Sequence, residues 1–380
     1  MSKDGLHAER ELGRFVERLT GSDLGSLWLA DAVRREVVGS FAIDGVAVEM
    51  EDLAVAMIDP NLLPVLQRDS LDDPARMVAL LQDIVAGRRG CVDPPPLPLR
   101  NRSDSVSRVD FAGVAAAARA ATSSVEAFLA GLGGQVAAET KALPVTPPRP
   151  PALSPDWFRS VWFGLTGADM PATLLQAVCS AADQVASRPG LPGAVAAAAR
   201  IHALSAVAHQ RGDVGAVERS GHSDRRSWRF ARVLMPFLIQ SSCGLDSMVP
   251  WLSWSLRRDS QMYARLVERD PEEWGKWVLA GLTDLFRFER EQISKIEAVL
   301  ASWEHRFSLG GKRRWNSNVR MLQALFQHGV ITTKSLHRIR GGDLRSTQLL
   351  IKDFRECGIV HAVHHAKGRE WFVGVDVFER

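Results

Sequence analysis

From Pro171 to about Ser308 the chain repeats its apolar residues almost everywhere with helical period, and this is the feature that most limits the fold. "PATLLQAVCSAADQVAS", "PGAVAAAARIHALSAVAHQ", "RFARVLMPFLIQSS", "SMVPWLSWSLRRDSQMYARLVER" and "PEEWGKWVLAGLTDLFRFEREQISKIEAVLASWEHRFS" each predict one helix. Pro192 and Pro271 fall where a first helical turn tolerates proline. Strand alternation is almost absent before residue 311, so the body reads as an all-α bundle.

The N-terminal third reads the same way. Residues 6–20 place Leu12, Phe15, Val16 and Leu19 on one helical face. Ser22 or Asp23 is the expected cap of a second helix. A third begins near Met50, with Glu49, Glu51 and Asp52 in its first turn, where the helix dipole favours anions. Residues 75–86 predict a fourth. Proline runs at 91–105 and 143–155 can sustain neither helix nor central strand, so they predict linkers around an alanine-rich helix. The expected organisation is an N-terminal helical region (1–90), linkers (91–155), a helical core (156–310) and a distinct C-terminal module (311–380).

Composition excludes some classes. With 46% apolar and 24% charged residues the chain has ample surface to bury, which argues against overall disorder. The N-terminus is charged and lacks the apolar stretch of a signal peptide. No segment approaches the ~18–20 apolar residues of a membrane span. Cys91, Cys179, Cys243 and Cys357 are far apart with no zinc-like spacing, so they predict thiols in a reducing compartment. A cytoplasmic location is the expectation. A single tyrosine stands against eleven tryptophans, which composition does not explain.

The net charge of +3 says little, but its distribution does. Residues 311–380 hold 13 Lys or Arg against 6 Asp or Glu, a net +7, leaving −4 for the other 310. A basic tail on a slightly acidic body points to a nucleic-acid partner. This tail also changes pattern. A helix ends at Gly329, Thr332 or Thr333 caps a short second helix, and "LRSTQLLIKDFREC" forms a third, closed by Gly358. "IVHAVHH" and "EWFVGVDVF" then alternate around "AKGR" as a hairpin.

That order resembles a winged helix-turn-helix, of the MarR-like and ArsR-like bacterial kind. The resemblance makes the third helix the recognition helix, with Arg345, Ser346, Gln348, Lys352 and Arg355 exposed and Leu349, Leu350 and Phe354 in the core. Arginine and glutamine can bond guanine and adenine edges bidentately in the major groove. Lys367 and Arg369, at the hairpin tip, are placed for phosphates or the minor groove. A winged helix used only for protein contacts is the alternative.

A second resemblance concerns the body. "SFAIDG", with Ser40, Asp44 and Gly45, resembles the inhibitory motif S/T-x-x-x-E-G/N of Fic-domain proteins, with Asp44 in place of glutamate. Trp251, Ser253, Arg258, Asp259, Tyr263, Trp274, Trp277 and Phe286 are similar in order to the segments that close that fold. The family's active motif is H-x-F-x-D/E-G-N-G-R-x-x-R. Matched to it, His209 takes the general-base position, Asp213 the metal-binding acid, and Arg229 and Arg232 the phosphate clamps. His222 is a rival for the histidine role. The glycines and asparagine of the phosphate nest are missing, about a dozen extra residues intervene, and Trp228 stands at a glycine position. A bulky residue there blocks close approach of a diphosphate to the backbone.

The fold expectation is therefore mainly α: a Fic-like helical bundle followed by a small α+β winged helix-turn-helix domain. The resemblances imply a DNA-binding regulatory protein, as a homodimer on double-stranded DNA, with a degenerate body and no cofactor. In this reading Arg229 and Arg232 are tied to Asp44. The alternative is an active AMP transferase that modifies a protein hydroxyl and uses Mg and ATP. A third reading is a protein-binding scaffold.

Overall fold

The computed structural model describes residues 3–22, 24–58, 62–85, 153–187, 189–212, 226–245, 249–309, 315–340, 343–364 and 370–378. The described residues are mainly helical, with one small three-stranded antiparallel sheet near the C-terminus. The proline runs, the helix expected between them and the Ser154-preceding linker lie outside the described residues, except for 153–155.

The first helices are α1 (Lys3–Thr20), α2 (Gly25–Ile43), α3 (Met50–Ile58) and α4 (Val65–Val85). The predicted face of α1 is met: Leu12, Phe15 and Leu19 are buried and Val16 packs against the core. Phe15 lies 5.2 Å from Trp28 and 6.3 Å from Phe286, centroid to centroid, so α1 shares a core with helices far along the chain. The expected cap of α2 is not found. Leu24 occupies the cap position without a side-chain bond, while the Ser22 hydroxyl accepts from Leu24 N at 3.2 Å, one residue early; Asp23 lies outside the described residues.

The body continues with α5 (Pro155–Thr166), α6 (Ala172–Ser187), α7 (Leu191–Gly212), α8 (Arg226–Cys243), the short α9 (Ser253–Leu256), a 3-10 turn (Arg257–Asp259), α10 (Ser260–Arg269) and α11 (Pro271–Leu309). The Ser154 hydroxyl caps α5, and Pro155 occupies its first turn. The single helix expected over 247–269 is broken instead. Asp259 leaves helical geometry at φ −136°, and its carboxylate accepts from Met262 N at 3.0 Å, starting a new helix.

Helix α11 has 39 residues, about 58 Å at 1.5 Å per residue. It is long enough to serve the body and the C-terminal unit together. Near its start Trp274 and Val278 are buried; near its end Trp303 Nε1 donates to Val375 O and the Phe307 ring meets Phe354 at 6.1 Å. Arg306 adds bonds to Gly358 O at 2.8 Å and Asp376 at 3.1 Å.

The C-terminal unit runs α12 (Trp315–His328), β1 (Val330–Ile331), α13 (Thr333–Arg340), α14 (Leu344–Glu356), β2 (Val360–His364) and β3 (Glu370–Gly374). The expected hairpin is present, with His364 opposite Glu370 and Val360 opposite Gly374. A third strand joins it: Val330 pairs with Val373 and Ile331 with Phe372, giving the order β1-β3-β2. Thr332 is the cap of α13, exchanging bonds with Ser335 in both directions. The assignment of Leu349 to the core is corrected: it is 55% exposed. The inner stripe of α14 is Thr347, Leu350, Ile351 and Phe354, an i, i+3, i+4, i+7 set that leaves position 349 outside.

Candidate functional site

Helix α2 is buried nearly all round: fourteen of its nineteen residues are buried, which makes it the central helix of the body. Apolar packing alone would be the simple solution for such a helix. Yet it carries Asp31, Arg34, Arg35, Glu36 and Ser40 into the interior, followed by Asp44 at its C-terminal cap. Buried polar groups are tolerable only when bonded, so each must meet a partner from another element.

The N-terminal half does so through α11 and α12. Arg35 bridges Asp31 and Glu289, and Trp28 Nε1 donates to Glu289 at 2.8 Å. Arg34 donates to the carbonyl oxygens of Phe326 and Gln327 in the last turn of α12. The central helix of the body thus caps the first helix of the C-terminal unit.

The C-terminal half carries Glu36, Ser40 and Asp44 at intervals of four, so their side chains lie along one face. The helix stops in a Schellman turn. Val46 N donates to Phe41 O at 2.9 Å and Gly45 N to Ala42 O at 3.0 Å, with Gly45 at φ +83°. The turn explains Gly45 and fixes Asp44 at the helix end. A carboxylate there opposes the helix dipole, so it needs cations nearby.

Helix α8 supplies them. Arg229 and Arg232, three apart in its first turns, reach the same face. Arg229 Nε donates to Asp44 Oδ2 at 2.6 Å, and its guanidinium stacks 3.8 Å from the Phe41 ring centroid. Arg232 donates to Asp44 Oδ1 at 3.2 Å, to the Ser40 hydroxyl at 2.9 Å and carbonyl at 3.3 Å, and to the Tyr263 hydroxyl at 3.2 Å. Arg232 is 1% exposed and Asp44 2%. The tie read from the sequence between these arginines and Asp44 is present in the structure, and Ser40 joins it.

An aromatic shell surrounds Arg232. His202 Nε2 and the Tyr263 hydroxyl share a hydrogen bond, and Trp228 and Trp274 ring centroids lie 5.9 and 5.3 Å from the His202 ring. The chain's one tyrosine is therefore the hydroxyl that joins α7, α8 and α10. Burial, reinforced by the Arg232 charge, pushes the His202 pKa down to about 3, so the ring is neutral. It stands seven residues before His209 and is structural. Burial likewise pushes the Tyr263 pKa up to about 12, so the phenol stays protonated.

Glu36 was not legible as a site residue. Ser253 donates to it from its backbone nitrogen at 3.0 Å and its hydroxyl at 2.7 Å, tying α2 to α9. Burial raises its pKa to about 7, against the lowering effects of Ser253 and Arg232. A carboxyl with a folded pKa above its unfolded value stabilises the fold below about pH 4.5, and that stability is lost as pH rises to 7. Relative to Glu36→Gln, the wild type is expected to lose about 3 kcal/mol between pH 4.5 and 7.5. Urea unfolding across that range checks it; parallel pH profiles for the two proteins would refute it.

The remaining predicted residues divide into two groups. The side chain of His209, all of Asp213 and His222, and the hairpin-tip residues Lys367 and Arg369 lie outside the described residues. Among the described residues no group of three or more His, Cys, Asp or Glu is placed to hold a metal ion. Cys179, Cys243 and Cys357 are partly buried. No helix among the described residues is long and apolar enough to cross a membrane.

The second group lies together on α14. Arg345, Gln348, Lys352 and Arg355 are exposed on its outer face, and Ser346 is half-buried in the first turn. Asp343 starts the helix by accepting from Ser346 N at 2.8 Å. Among the described residues Lys352 pairs with Glu356 at 3.7 Å and Arg355 with Glu370 at 3.8 Å, both long. Pairs this exposed hold their cations weakly and leave them open to exchange. No protein-family model and no curated protein matches the chain.

Proposed function

We propose that the chain is a regulatory protein that binds double-stranded DNA through α14, the recognition helix of a winged helix-turn-helix formed by α12–β3. The helical body, similar to a Fic domain, serves as a non-catalytic platform. The observation that carries the reading is the two-sided character of α14. Its inner stripe anchors it, while Arg345, Gln348, Lys352 and Arg355 face out together. Two further features support it. The order helix, strand, helix, helix, strand, strand is that of a winged helix. The net +7 of residues 311–380 supplies the attraction to phosphates.

The body is read as non-catalytic because its two candidate phosphate ligands are engaged. Asp44, Ser40 and Tyr263 take hydrogen bonds from Arg232, and Asp44 also takes one from Arg229, away from solvent. A platform has a use of its own: Arg34, Trp303 and Arg306 fasten the C-terminal unit at separate points, so the body sets where α14 faces. As a homodimer such a protein would present two recognition helices to two half-sites.

Polarisation with a labelled duplex at about 50 mM salt tests the proposal. Wild type is expected to bind, and Arg345→Glu/Lys352→Glu to bind about 30-fold more weakly with a shallower salt dependence. No binding by the wild type at low salt, or equal binding by the double variant, would overturn it.

A further inference from the structure

Four large apolar side chains are exposed among the described residues, Leu6, Leu309, Leu344 and Leu349, and two of them belong to the thirteen-residue α14. Leu349 is the more informative. It sits in the middle of the helix, 55% exposed, four residues after Arg345 and three before Lys352. Those spacings make it the immediate neighbour of both cations on the helix surface. The inner stripe does not need it, since Thr347, Leu350, Ile351 and Phe354 already fill the packed face. A leucine on an otherwise solvated face gains nothing from water. It gains from a surface that is apolar at that point and negative around it.

The major groove offers such a surface at one kind of base pair. Its floor is a pattern of donors and acceptors except where the C5-methyl of thymine projects, and its walls are phosphates. We propose that Leu349 is a specificity-determining residue that packs on a thymine C5-methyl, with Arg345 and Lys352 holding adjacent phosphates or guanine edges. The proposal rests on the DNA-binding reading and adds which base feature the centre of α14 reads. It accounts for a leucine at a position where a helix bound for solvent would carry lysine or glutamate.

The test uses the full chain. Duplexes are selected from a randomised pool, and each thymine of the selected site is replaced in turn by deoxyuridine, which lacks only the methyl. Loss of one buried methyl corresponds to about a fourfold weakening. One or two thymines per half-site are expected to show it with wild type. Leu349→Ala, a change on the solvent side of α14, is expected to abolish the difference at those thymines and keep the salt dependence of binding. Leu349→Met, which retains an apolar tip, is expected to keep most of it. If DNA binds but every thymine tolerates deoxyuridine, or Leu349→Ala discriminates as wild type does, the inference fails and the DNA-binding reading stands. If Leu349→Ala instead dissociates an oligomer while methyl discrimination persists, the leucine is a protein contact and the inference fails. If no duplex is retained even at low salt, both readings fall.

Discussion

Asp44→Ala is expected to destabilise the protein by about 3–5 kcal/mol, the usual effect of removing one member of a buried ion cluster. The carboxylate is the only acid that bonds both Arg229 and Arg232 among the described contacts, and both arginines are buried. Alanine would take the shared carboxylate from two buried guanidiniums and leave Arg232 bonded to a hydroxyl, a carbonyl and a phenol. None of those carries charge at neutral pH. The α8 dipole makes this worse, because the arginines sit near the N-terminus of α8, where cations are disfavoured. Urea unfolding checks the value. Glu297→Ala, which removes the half-exposed partner of Arg18 from a helical position, is the control and should cost less than about 1 kcal/mol. Equal losses in the two variants would show that the Asp44 cluster is not the tie described.

Charge neutralisation separates attraction from mere burial. With Arg229→Met and Arg232→Met added to Asp44→Leu, no ion remains to be desolvated, and such replacements are often neutral or better in stability. The triple variant is expected to recover most of the loss of Asp44→Ala. If it does, the cluster holds α2 to α8 in one register rather than adding net stability, which is what the platform role asks of it.

The parts of this arrangement differ in how far local sequence could reveal them. Period alone located α1 and 38 of the 39 residues of α11, since each buries a stripe that repeats every three or four residues. The Asp44–arginine tie was legible because a motif linked residues 185 and 188 positions apart. Asp44-Gly45 also had a plainer local signal, a helix C-cap, which the motif reading passed over. Glu36 had none: it lies in "REVVGSF", and only the approach of Ser253, 217 residues away, makes it a buried acceptor. The helix expected over 247–269 is likewise interrupted at Asp259, whose carboxylate starts a new helix where the apolar period favoured one long one. Strand β1 has two residues, too few for alternation to register, and exists because β3 offers it an edge. Leu349 followed the rule that leucine is internal, and failed because neighbouring Leu350 already held the inner position.

Gly39 shows the same dependence on distant contacts, and carries the second large effect. A Cβ at this position would stand 2.5 Å from the Ser253 carbonyl carbon and 2.6 Å from Trp254 Cα, and would also collide with Trp254 N. These are backbone atoms, so no rotamer change can relieve the clash. On helix propensity alone Gly39→Ala should stabilise α2 by about 1 kcal/mol, because glycine is a poor interior residue. The packing term has the opposite sign and is larger: separating α2 from α9 stretches both bonds that Ser253 makes to Glu36 and opens the interface between two buried elements. A net loss of about 3 kcal/mol is expected, at the upper end for a small-to-large change in a packed interior. The loss should come with a second mark. With Ser253 drawn away, the bonds that lower the Glu36 pKa weaken, so the fall in stability towards neutral pH should steepen in Gly39→Ala. Gly39→Ala/Glu36→Gln should lose that extra slope while retaining most of the packing penalty. A stabilised Gly39→Ala would mean that propensity outweighs the clash and that α9 can retreat without cost, which the two Ser253 bonds to Glu36 argue against.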